Sequence, residues 1–459
     1  MMMRDVRGVI GRLGGQGHGV LDLPDGQRAY VPFALPGEQV AARLASTKAA
    51  GNAKAADGVA AQLLEIETAS PERIEPPCPH FHACGGCNLQ HWQAAPYQAW
   101  KRNKLVAALQ RRDWSPAEAE EIVAPLLSVP PASRRRAEFV ARRIGKRVVI
   151  GFNEAESRRV VDLAACAVSR PALLAPLPRL REALLALLPE GRSLDIKLTD
   201  CEGGLDALFT GALYGDPVSG GGAGRPGLEA GARQDLAQLA HELGIARLCW
   251  RQTPDAAPEI LAQERPPVVR FGAVAVTLPP GGFLQATAEA EALMATQMFA
   301  ALPQTGSGGL RIADLFAGCG AFALRLAALG HQVLACDADR PAIAALTAAA
   351  NAQQLASRIK AEARDLERRP LQAAELKKLD AVLLDPPRAG ARAQAAALAD
   401  ALRQKAAPPL LLMAACDPNS FARDARLLVA AGYRLEQATP IDQFLWTPHL
   451  ELTAVFRRA

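Results

Sequence analysis

The first 70 residues alternate short apolar runs with glycine and proline breaks, a pattern typical of a small all-β unit. We predict strands over residues 6–12, 17–23, 29–33, 39–44 and 59–65. The breaks lie at Gly14-Gly15, at Pro24-Asp25-Gly26 and at Pro36-Gly37. Five short strands separated by such turns predict a closed barrel of the OB type over residues 1–68.

The pattern changes to strand–helix–strand from about residue 309, which predicts an α/β domain with a parallel, Rossmann-like sheet over residues 283–459. The predicted strands cover residues 310–316, 332–336, 380–387 and 411–416, and a final pair covers 433–440 and 449–456. If that pair forms a hairpin, its second strand runs antiparallel to the others. Glu451 would then face the same edge of the sheet from which Asp385 and Cys416 emerge.

The middle of the chain, residues 69–282, predicts a mixed α+β domain. It contains amphipathic helical patterns over 178–188 and 234–243 and a glycine-rich loop over 219–231. The loop lacks the Lys-Ser/Thr pair of a phosphate-binding P-loop, so we interpret it as an insertion.

Composition and charge narrow the class of protein. Half of the 459 residues are apolar, and the net charge of +5 permits a nucleic-acid partner without requiring one. The N-terminus lacks the apolar core of a secretory signal, and no uncharged apolar run approaches the roughly 18 residues of a membrane span. We therefore expect a cytoplasmic, monomeric protein without membrane contact, whose nine cysteines are thiols or metal ligands.

The positive charge is unevenly distributed. The predicted barrel carries seven basic and seven acidic residues, so it cannot hold RNA by counterion release alone. Residues 133–147, in contrast, carry seven cations and one acid, Glu138. Their alternation predicts strands with cations on the exposed face, either a phosphate-tracking surface or a merely solvated one.

Three cysteines form a C-x5-C-x2-C array at Cys78, Cys84 and Cys87, in a loop rich in glycine and proline. Thiolates at this spacing can converge on one metal centre, but a fourth ligand is missing locally. An iron–sulfur cluster held by four thiolates is one interpretation. Structural zinc completed by a histidine is the other. The candidate histidines are His80, His82 and His91.

The first strand of the C-terminal domain ends in DLFAGCG, and the second ends at Asp337. Glycines at 318 and 320 let the backbone approach a nucleoside, and the acid can bind ribose hydroxyls. The GxGxxA spacing also fits a dinucleotide fold. DAVLLDPP, which ends at Asp385 and its two prolines, instead indicates an S-adenosylmethionine-dependent methyltransferase. Because Arg388 replaces the aromatic residue that amino-group methylation uses, and Cys416 offers a nucleophile, carbon methylation is favoured.

Cys416 follows a buried strand and precedes a helix, so the helix N-terminus should favour its thiolate. The alternative is a buried core cysteine, which most isolated cysteines are.

Taken together, these motifs resemble the RNA uracil-C5 methyltransferases, in particular the bacterial 23S rRNA enzymes with a TRAM barrel and a [4Fe-4S] cluster. The segments that carry the resemblance are the cysteine array, DLFAGCG, LLDPPRAGA, CDPNSFARD and HLE, together with residues 17–38, which match a TRAM barrel. The resemblance implies Cys416 as nucleophile, Glu451 as base, and Cys166 as the fourth cluster ligand beside Cys78, Cys84 and Cys87. The residues that it places around S-adenosylmethionine are Gln285, Phe316, Asp337, Asp365 and Asp385.

The sequence departs from the family pattern at Thr287, Ala321 and Trp446, but none of these changes removes a catalytic atom. In the implied reaction, the Cys416 thiolate adds to uracil C6, C5 takes the methyl group, and Glu451 removes the C5 proton. The expected substrate is RNA, either 23S rRNA or the tRNA T-loop. A radical iron–sulfur enzyme and an RNA-binding assembly factor with an inactive pocket are the alternatives from other classes.

Overall fold

The computed structural model describes residues 4–45, 58–213, 228–304 and 308–458. Within them the N-terminal strands form one sheet in the order β1-β5-β6-β4-β3-β2. Their bounds are Asp5–Val9 (β1), Arg12–Leu13 (β2), Gly19–Asp22 (β3), Arg28–Val31 (β4), Gln39–Leu44 (β5) and Val59–Thr68 (β6). β1 and β2 are consecutive in the chain yet lie at opposite ends of the order. The sheet therefore curls, which is compatible with the predicted barrel.

A helical segment follows the N-terminal sheet. It comprises α1 (Ala94–Gln110), α2 (Pro116–Ile122) and the short strand β7 (Leu127–Ser128). Leu105 and Leu109 of α1 belong to the same hydrophobic cluster as Phe421 of the C-terminal domain. Residues 94–128 therefore pack on the C-terminal core, although they precede the central sheet in the chain.

The central sheet has the order β10-β9-β8-β11-β12-β13-β14 in the described residues, and only its β12–β13 pair is parallel. The strands are Arg136–Ile144 (β8), Arg147–Asn153 (β9), Val160–Asp162 (β10), Ser193–Cys201 (β11), Gly204–Thr210 (β12), Arg247–Arg251 (β13) and Glu259–Gln263 (β14). The helices are Pro171–Leu174 (α3), Leu177–Leu187 (α4) and Ala230–Glu242 (α5).

Both predicted amphipathic helices exist as α4 and α5, and their leucines cover one face of this sheet. The predicted glycine-rich loop lies mostly outside the described residues. A separate hairpin of β15 (Val268–Phe271) and β16 (Val274–Thr277) leads to the C-terminal domain.

The C-terminal sheet has the order β19-β18-β17-β20-β21-β23-β22-β7. Its remaining strands are Arg311–Leu315 (β17), Gln332–Asp337 (β18), Ile359–Ala363 (β19), Ala381–Leu384 (β20), Leu410–Ala415 (β21), Tyr433–Asp442 (β22) and Glu451–Arg458 (β23). The helices are Ala288–Phe299 (α6), Ala323–Ala328 (α7), Arg340–Ala352 (α8), Ala373–Leu376 (α9), Arg392–Arg403 (α10) and Pro418–Ala431 (α11).

β17 to β21 are parallel, and β23 runs antiparallel between β21 and β22. The sequence-based expectation of a final hairpin with this orientation agrees with the pairing. β7 adds a further short strand beside β22, so the hairpin does not form the edge of the sheet.

Alternation explains why β21 is apolar along its whole length. Leu411 and Met413 face one hydrophobic cluster, whereas Leu410 and Leu412 face the other. Helices cover both faces of the sheet, as parallel sheets require. In the described residues no helix is long and apolar enough to cross a membrane.

Candidate active site

The predicted site residues of the C-terminal domain follow successive strands at one edge of the sheet. Asp337 ends β18, Phe316 follows β17, Asp385 follows β20 and Cys416 follows β21. Because β23 is antiparallel, its first residue, Glu451, lies at that same edge, where Ala415 pairs with Leu452. The topology thus gathers a nucleotide-type turn, a buried acid, a thiol and a carboxyl in one row.

The turn after β17 has the geometry of a nucleoside site. Asp337 accepts a hydrogen bond from Gly318 N at 2.8 Å and another from Asp339 N at 2.8 Å. Phe316 has a φ of 66°, which directs the chain sharply out of the strand. A Cβ at Gly318 would meet no atom within 4 Å, so space for a ligand lies beside this backbone.

Burial raises the pKa of two acids beside the turn. Burial, followed by repulsion from Asp385 and Asp337, raises the pKa of Asp314 well above its usual value. Burial raises the pKa of Asp385 to about 7 against the hydrogen bond from Gln285, with Glu291 and Asp337 adding to the rise. Asp314 is the first residue of DLFAGCG, and sequence reasoning did not assign it to the site.

A chain of amides connects the nucleotide side to Glu451. Gln285 Nε2 donates to Asp385 Oδ2 at 3.3 Å. Gln443 Nε2 donates to Gln285 Oε1 and to Glu451 Oε1, both at 2.9 Å. Sequence reasoning did not identify Gln443. Its one signal was its position between a predicted strand and HLE.

Glu451 is 4 % exposed, and its pKa is raised to about 8. Burial is the main cause, and the nearby Asp385 adds to it, while the hydrogen bond from Gln443 and the charge of Arg136 act in the opposite direction. A carboxyl with this pKa exchanges a proton near neutral pH, as a general base must.

Cys416 is half-buried, and its pKa is raised to about 11 by burial and then by Glu451, Asp385 and Asp417. The expectation that a helix N-terminus would favour the thiolate is therefore wrong for the protein without substrate. Asp417 is the N-cap of α11, and its carboxylate accepts from Asn419 N at 2.8 Å and Ser420 N at 3.0 Å. The helix end thus stabilises the neighbouring carboxylate, which in turn opposes ionisation of the thiol.

Asp365 and Thr287 have local roles in the structure. Asp365 lies beyond β19 at the same sheet edge, where its carboxylate accepts from Glu367 N and Arg368 N. Thr287, which departs from the family pattern, caps α6 by accepting from Ala290 N at 3.0 Å. The substitution at 287 thus preserves the start of the helix.

The four predicted cluster cysteines come together although Cys166 is distant in the chain. Cys78, Cys84, Cys87 and Cys166 line one cavity of about 430 Å³, and all four are half-buried free thiols. In the described residues, no group of three or more His, Cys, Asp or Glu side chains is close enough to form a ready metal site. Four thiols around one cavity are nevertheless a set of donors that metal centres use.

Of the three histidines proposed as zinc ligands, His80 is the one that lines this cavity. His80 lines the cavity, but its Nε2 accepts from Ala164 N at 3.0 Å. The His82 and His91 rings pack against Phe81 and Phe33. Neither His82 nor His91 lines this cavity, although the buried ring nitrogens of His91 have no hydrogen-bond partner among the described residues.

The basic stretch forms the predicted strands β8 and β9, but its cations do not form one exposed row. Arg135 is 3 % exposed and pairs with Glu291 at 2.6 Å. Arg143 donates to the carbonyls of Leu185 and Leu188 near the end of α4. The expectation that the cations lie together on one exposed face is therefore wrong for Arg135 and Arg143, whose guanidinium groups join structural elements.

Comparison with known proteins identifies the family. Residues 278–459 match the family model described as tRNA (uracil-5-)-methyltransferase. A relative from Brucella melitensis, described as an uncharacterized RNA methyltransferase, is 40 % identical over 98 % of this chain and 97 % of its own length. The 23S rRNA (uracil(1939)-C(5))-methyltransferase of Pectobacterium atrosepticum is 30 % identical over 94 % of this chain and 89 % of its own. The chain belongs to the RNA (uracil-5-)-methyltransferase family.

One solved structure supports the fold of this methyltransferase. The tRNA (uracil-54, C5)-methyltransferase of Pyrococcus abyssi, solved with S-adenosyl-L-homocysteine, matches with a TM-score of 0.70. The match covers 98 % of this chain and 100 % of the other at 21 % identity. The predictions of an S-adenosylmethionine-dependent enzyme and of an RNA substrate methylated at uracil C5 are thereby confirmed.

Proposed function

We propose that this methyltransferase modifies a uridine of 23S rRNA through a covalent bond between Cys416 and uracil C6, with Glu451 as the base. The observation that carries the proposal is the position of both side chains at one sheet edge, beside the Gln285–Asp385 pair. A thiol and a carboxyl in that arrangement can act on adjacent carbons of one pyrimidine ring.

The electron movements define the two roles. As a thiolate, the Cys416 sulfur gives an electron pair to C6, and the C5=C6 π electrons become an enolate whose C5 is nucleophilic. C5 would take the electrophilic methyl group that bound S-adenosylmethionine supplies, with S-adenosylhomocysteine as the leaving group. Glu451 then takes the C5 proton, the C5=C6 bond reforms, and the C6–S bond breaks to return the thiolate.

The proposed cofactor residues are Gln285, Phe316, Asp337, Asp365 and Asp385. Asp337 suits ribose hydroxyls, because its carboxylate is fixed by Gly318 N beside open space. Gln285 and Asp385 lie between that turn and Glu451, and this position suits the methionine part of the cofactor. Asp365, at the outer strand, suits the adenine side.

A cleft of about 500 Å³ leads outward from Cys416, and we propose that it receives the RNA strand. Its cations are Arg12, Lys104, Arg111 and Arg388, against one acid, Asp417. Trp100 offers an aromatic surface, and the Lys104 ammonium lies 4.8 Å from its ring centre. Cations along a groove with an aromatic face suit an unpaired strand, which C5 methylation requires because the target base must leave its stack.

The assignment to 23S rRNA is supported by the Pectobacterium relative, whose name specifies that substrate and which aligns with 94 % of this chain. tRNA is the second candidate, favoured by the name of the matching family model. The deciding experiment incubates the protein with labelled cofactor and, separately, unmodified 23S rRNA and tRNA, and then maps 5-methyluridine. Methylation of tRNA alone would overturn the assignment to rRNA.

We further propose that Cys78, Cys84, Cys87 and Cys166 hold a [4Fe-4S] cluster, supported by four thiols around one cavity. The cluster would serve structure, since no step above transfers an electron. Asn88 N and Leu89 N, next to Cys87, donate to Trp446 O, so the cysteine loop supports the segment that precedes Glu451. Iron and sulfide measured on protein purified without oxygen would decide, and one zinc ion per chain would contradict the proposal.

A further inference from the structure

We propose that Gln443 is a positioning residue whose amide stabilises the ionised Glu451 carboxylate for removal of the C5 proton and connects it to the Gln285–Asp385 pair. The inference rests on the function proposed above. Gln443 would not touch the reacting atoms; it would act through Glu451.

The hydrogen bonds define what Gln443 can do. Both contacts of its amide nitrogen are acceptors, Gln285 Oε1 and Glu451 Oε1, each at 2.9 Å. An NH2 group has two protons, so these two bonds use its full capacity. The Gln285 amide nitrogen in turn donates to Asp385. The series of hydrogen bonds therefore has a carboxyl group at each end, and these two carboxyl groups fix the orientation of both amides.

Gln443 is itself held rigidly. It is 2 % exposed, and the preceding residue, Asp442, is fully buried. The Asp442 carboxylate pairs with Lys101 Nζ and accepts from Tyr97 OH at 2.6 Å. Lys101 also donates to Phe444 O at 3.0 Å, so α1 fixes the backbone on both sides of Gln443.

The Gln443 amide is one of two groups that favour the ionised form of Glu451. Burial and the charge of Asp385 oppose ionisation, and the Cys416 thiol lies on the neighbouring strand. Arg136 is the cation that faces Glu451, and Gln443 is its hydrogen-bond donor. Removal of the donor should therefore make the Glu451 carboxyl harder to ionise.

One buried atom of Gln443 remains available. Among the described residues none bonds to its Oε1, although the atom is inaccessible to solvent. Buried carbonyl oxygens in proteins normally have a donor, so a buried water molecule would supply one here. The amide nitrogen, in contrast, is already committed to the protein.

The test substitutes Gln443→Met, which keeps the length of the side chain and removes both donors. Release of tritium from RNA labelled at uridine C5 reports removal of the proton, and adduct formation with 5-fluorouridine RNA does not require it. We expect normal adduct formation. Tritium release should be about tenfold slower at pH 7, and the rise of its rate with pH should move about one pH unit higher. A hydrogen bond to a charged group contributes a free energy of about that size.

The pH profile separates positioning from a structural role. Recovery of tritium release towards the wild-type rate above pH 9 supports the proposal, whereas a profile that superimposes on wild type, or a uniform loss at every pH, would overturn it. Gln404→Met, at the exposed end of α10, is the matched control and should behave as wild type. If Gln443→Met does not fold, Gln443→Glu replaces it in the test. That variant should move the rise of tritium release to a still higher pH. Failure of the wild-type protein to form the adduct would instead refute the proposed function.

Discussion

Replacement of Glu451 by glutamine should stabilise the protein, and by an amount that depends on pH. The folded protein holds this carboxyl with a pKa of about 8, against a usual value of 4.5. At neutral pH the Glu451 carboxyl of the unfolded chain releases its proton, which lowers the free energy of the unfolded state. In the folded protein most of this carboxyl stays protonated. Glutamine has no proton to release, and its oxygen can still accept the hydrogen bond from Gln443.

The magnitude follows from linkage. Below pH 4.5 both states hold the proton, and Glu451 costs no stability. As pH rises the cost grows by about 1.4 kcal/mol per pH unit until about pH 8. Glu451→Gln should therefore gain under about 1 kcal/mol at pH 5 and about 3 kcal/mol at pH 7. For a chain of 459 residues, the second value corresponds to an increase of roughly 3 °C in Tm.

The assay is calorimetric unfolding of both proteins from pH 5 to pH 8.5. Glu436→Gln is the control on the adjacent strand: hydrogen bonds from Arg434 and Arg457 outweigh the effect of burial and lower the pKa of Glu436. The Tm of Glu436→Gln relative to wild type should therefore not increase with pH. A Tm difference for Glu451→Gln that is absent, or equal at pH 5 and pH 8, would refute the electrostatic account of this side chain.

Three further predictions concern other parts of the molecule. Lys104→Ala should weaken RNA binding in a filter-binding titration and reduce the salt dependence of binding by about one phosphate contact. Lys146→Ala, in the basic stretch, should change neither quantity. Equal losses of affinity in the two variants would reject the proposed cleft. Lys101→Met should cost about 3–5 kcal/mol of unfolding free energy by leaving Asp442 buried without its cation, and denaturant titration showing an unchanged protein would contradict this. Cys166→Ala should lose iron and sulfide in chemical analysis, with Cys249→Ala, a core cysteine, as the control that keeps both.

The C-terminal sheet could be predicted from sequence because its strands are short apolar runs, each ending in a distinctive residue. The carboxyl ends of parallel strands meet at one edge, so Asp337, Asp385 and Cys416 could be placed together without coordinates. The orientation of the last strand followed from the hairpin argument, and with it the position of Glu451.

The electrostatics of the site could not be read in the same way. A cysteine before a helix suggests a lowered pKa, but the opposite direction results from burial and from Glu451, Asp385 and Asp417. Those three acids lie on different elements, so their sum depends on tertiary packing. Gln443 was missed for the same reason, since a lone glutamine has no spacing signal and its amide connects the nearby Glu451 to Gln285, which is 158 positions away in the chain.

The basic stretch shows a further limit of charge patterns. Seven cations in fifteen residues indicate a binding surface, yet Arg135 is buried against Glu291, on a helix of the next domain. A charge count does not reveal which cations have partners. The cations of the cleft beside Cys416, in contrast, come from separate segments and form no run in the sequence.

The central claim is that the Cys416 sulfur bonds to a uracil ring. The most direct measurement incubates the protein with cofactor and 5-fluorouridine-substituted 23S rRNA, followed by denaturing electrophoresis and mass spectrometry of the linked peptide. We expect a stable adduct at Cys416 that Cys416→Ala abolishes. A Cys416→Ala protein that still produces 5-methyluridine would contradict it.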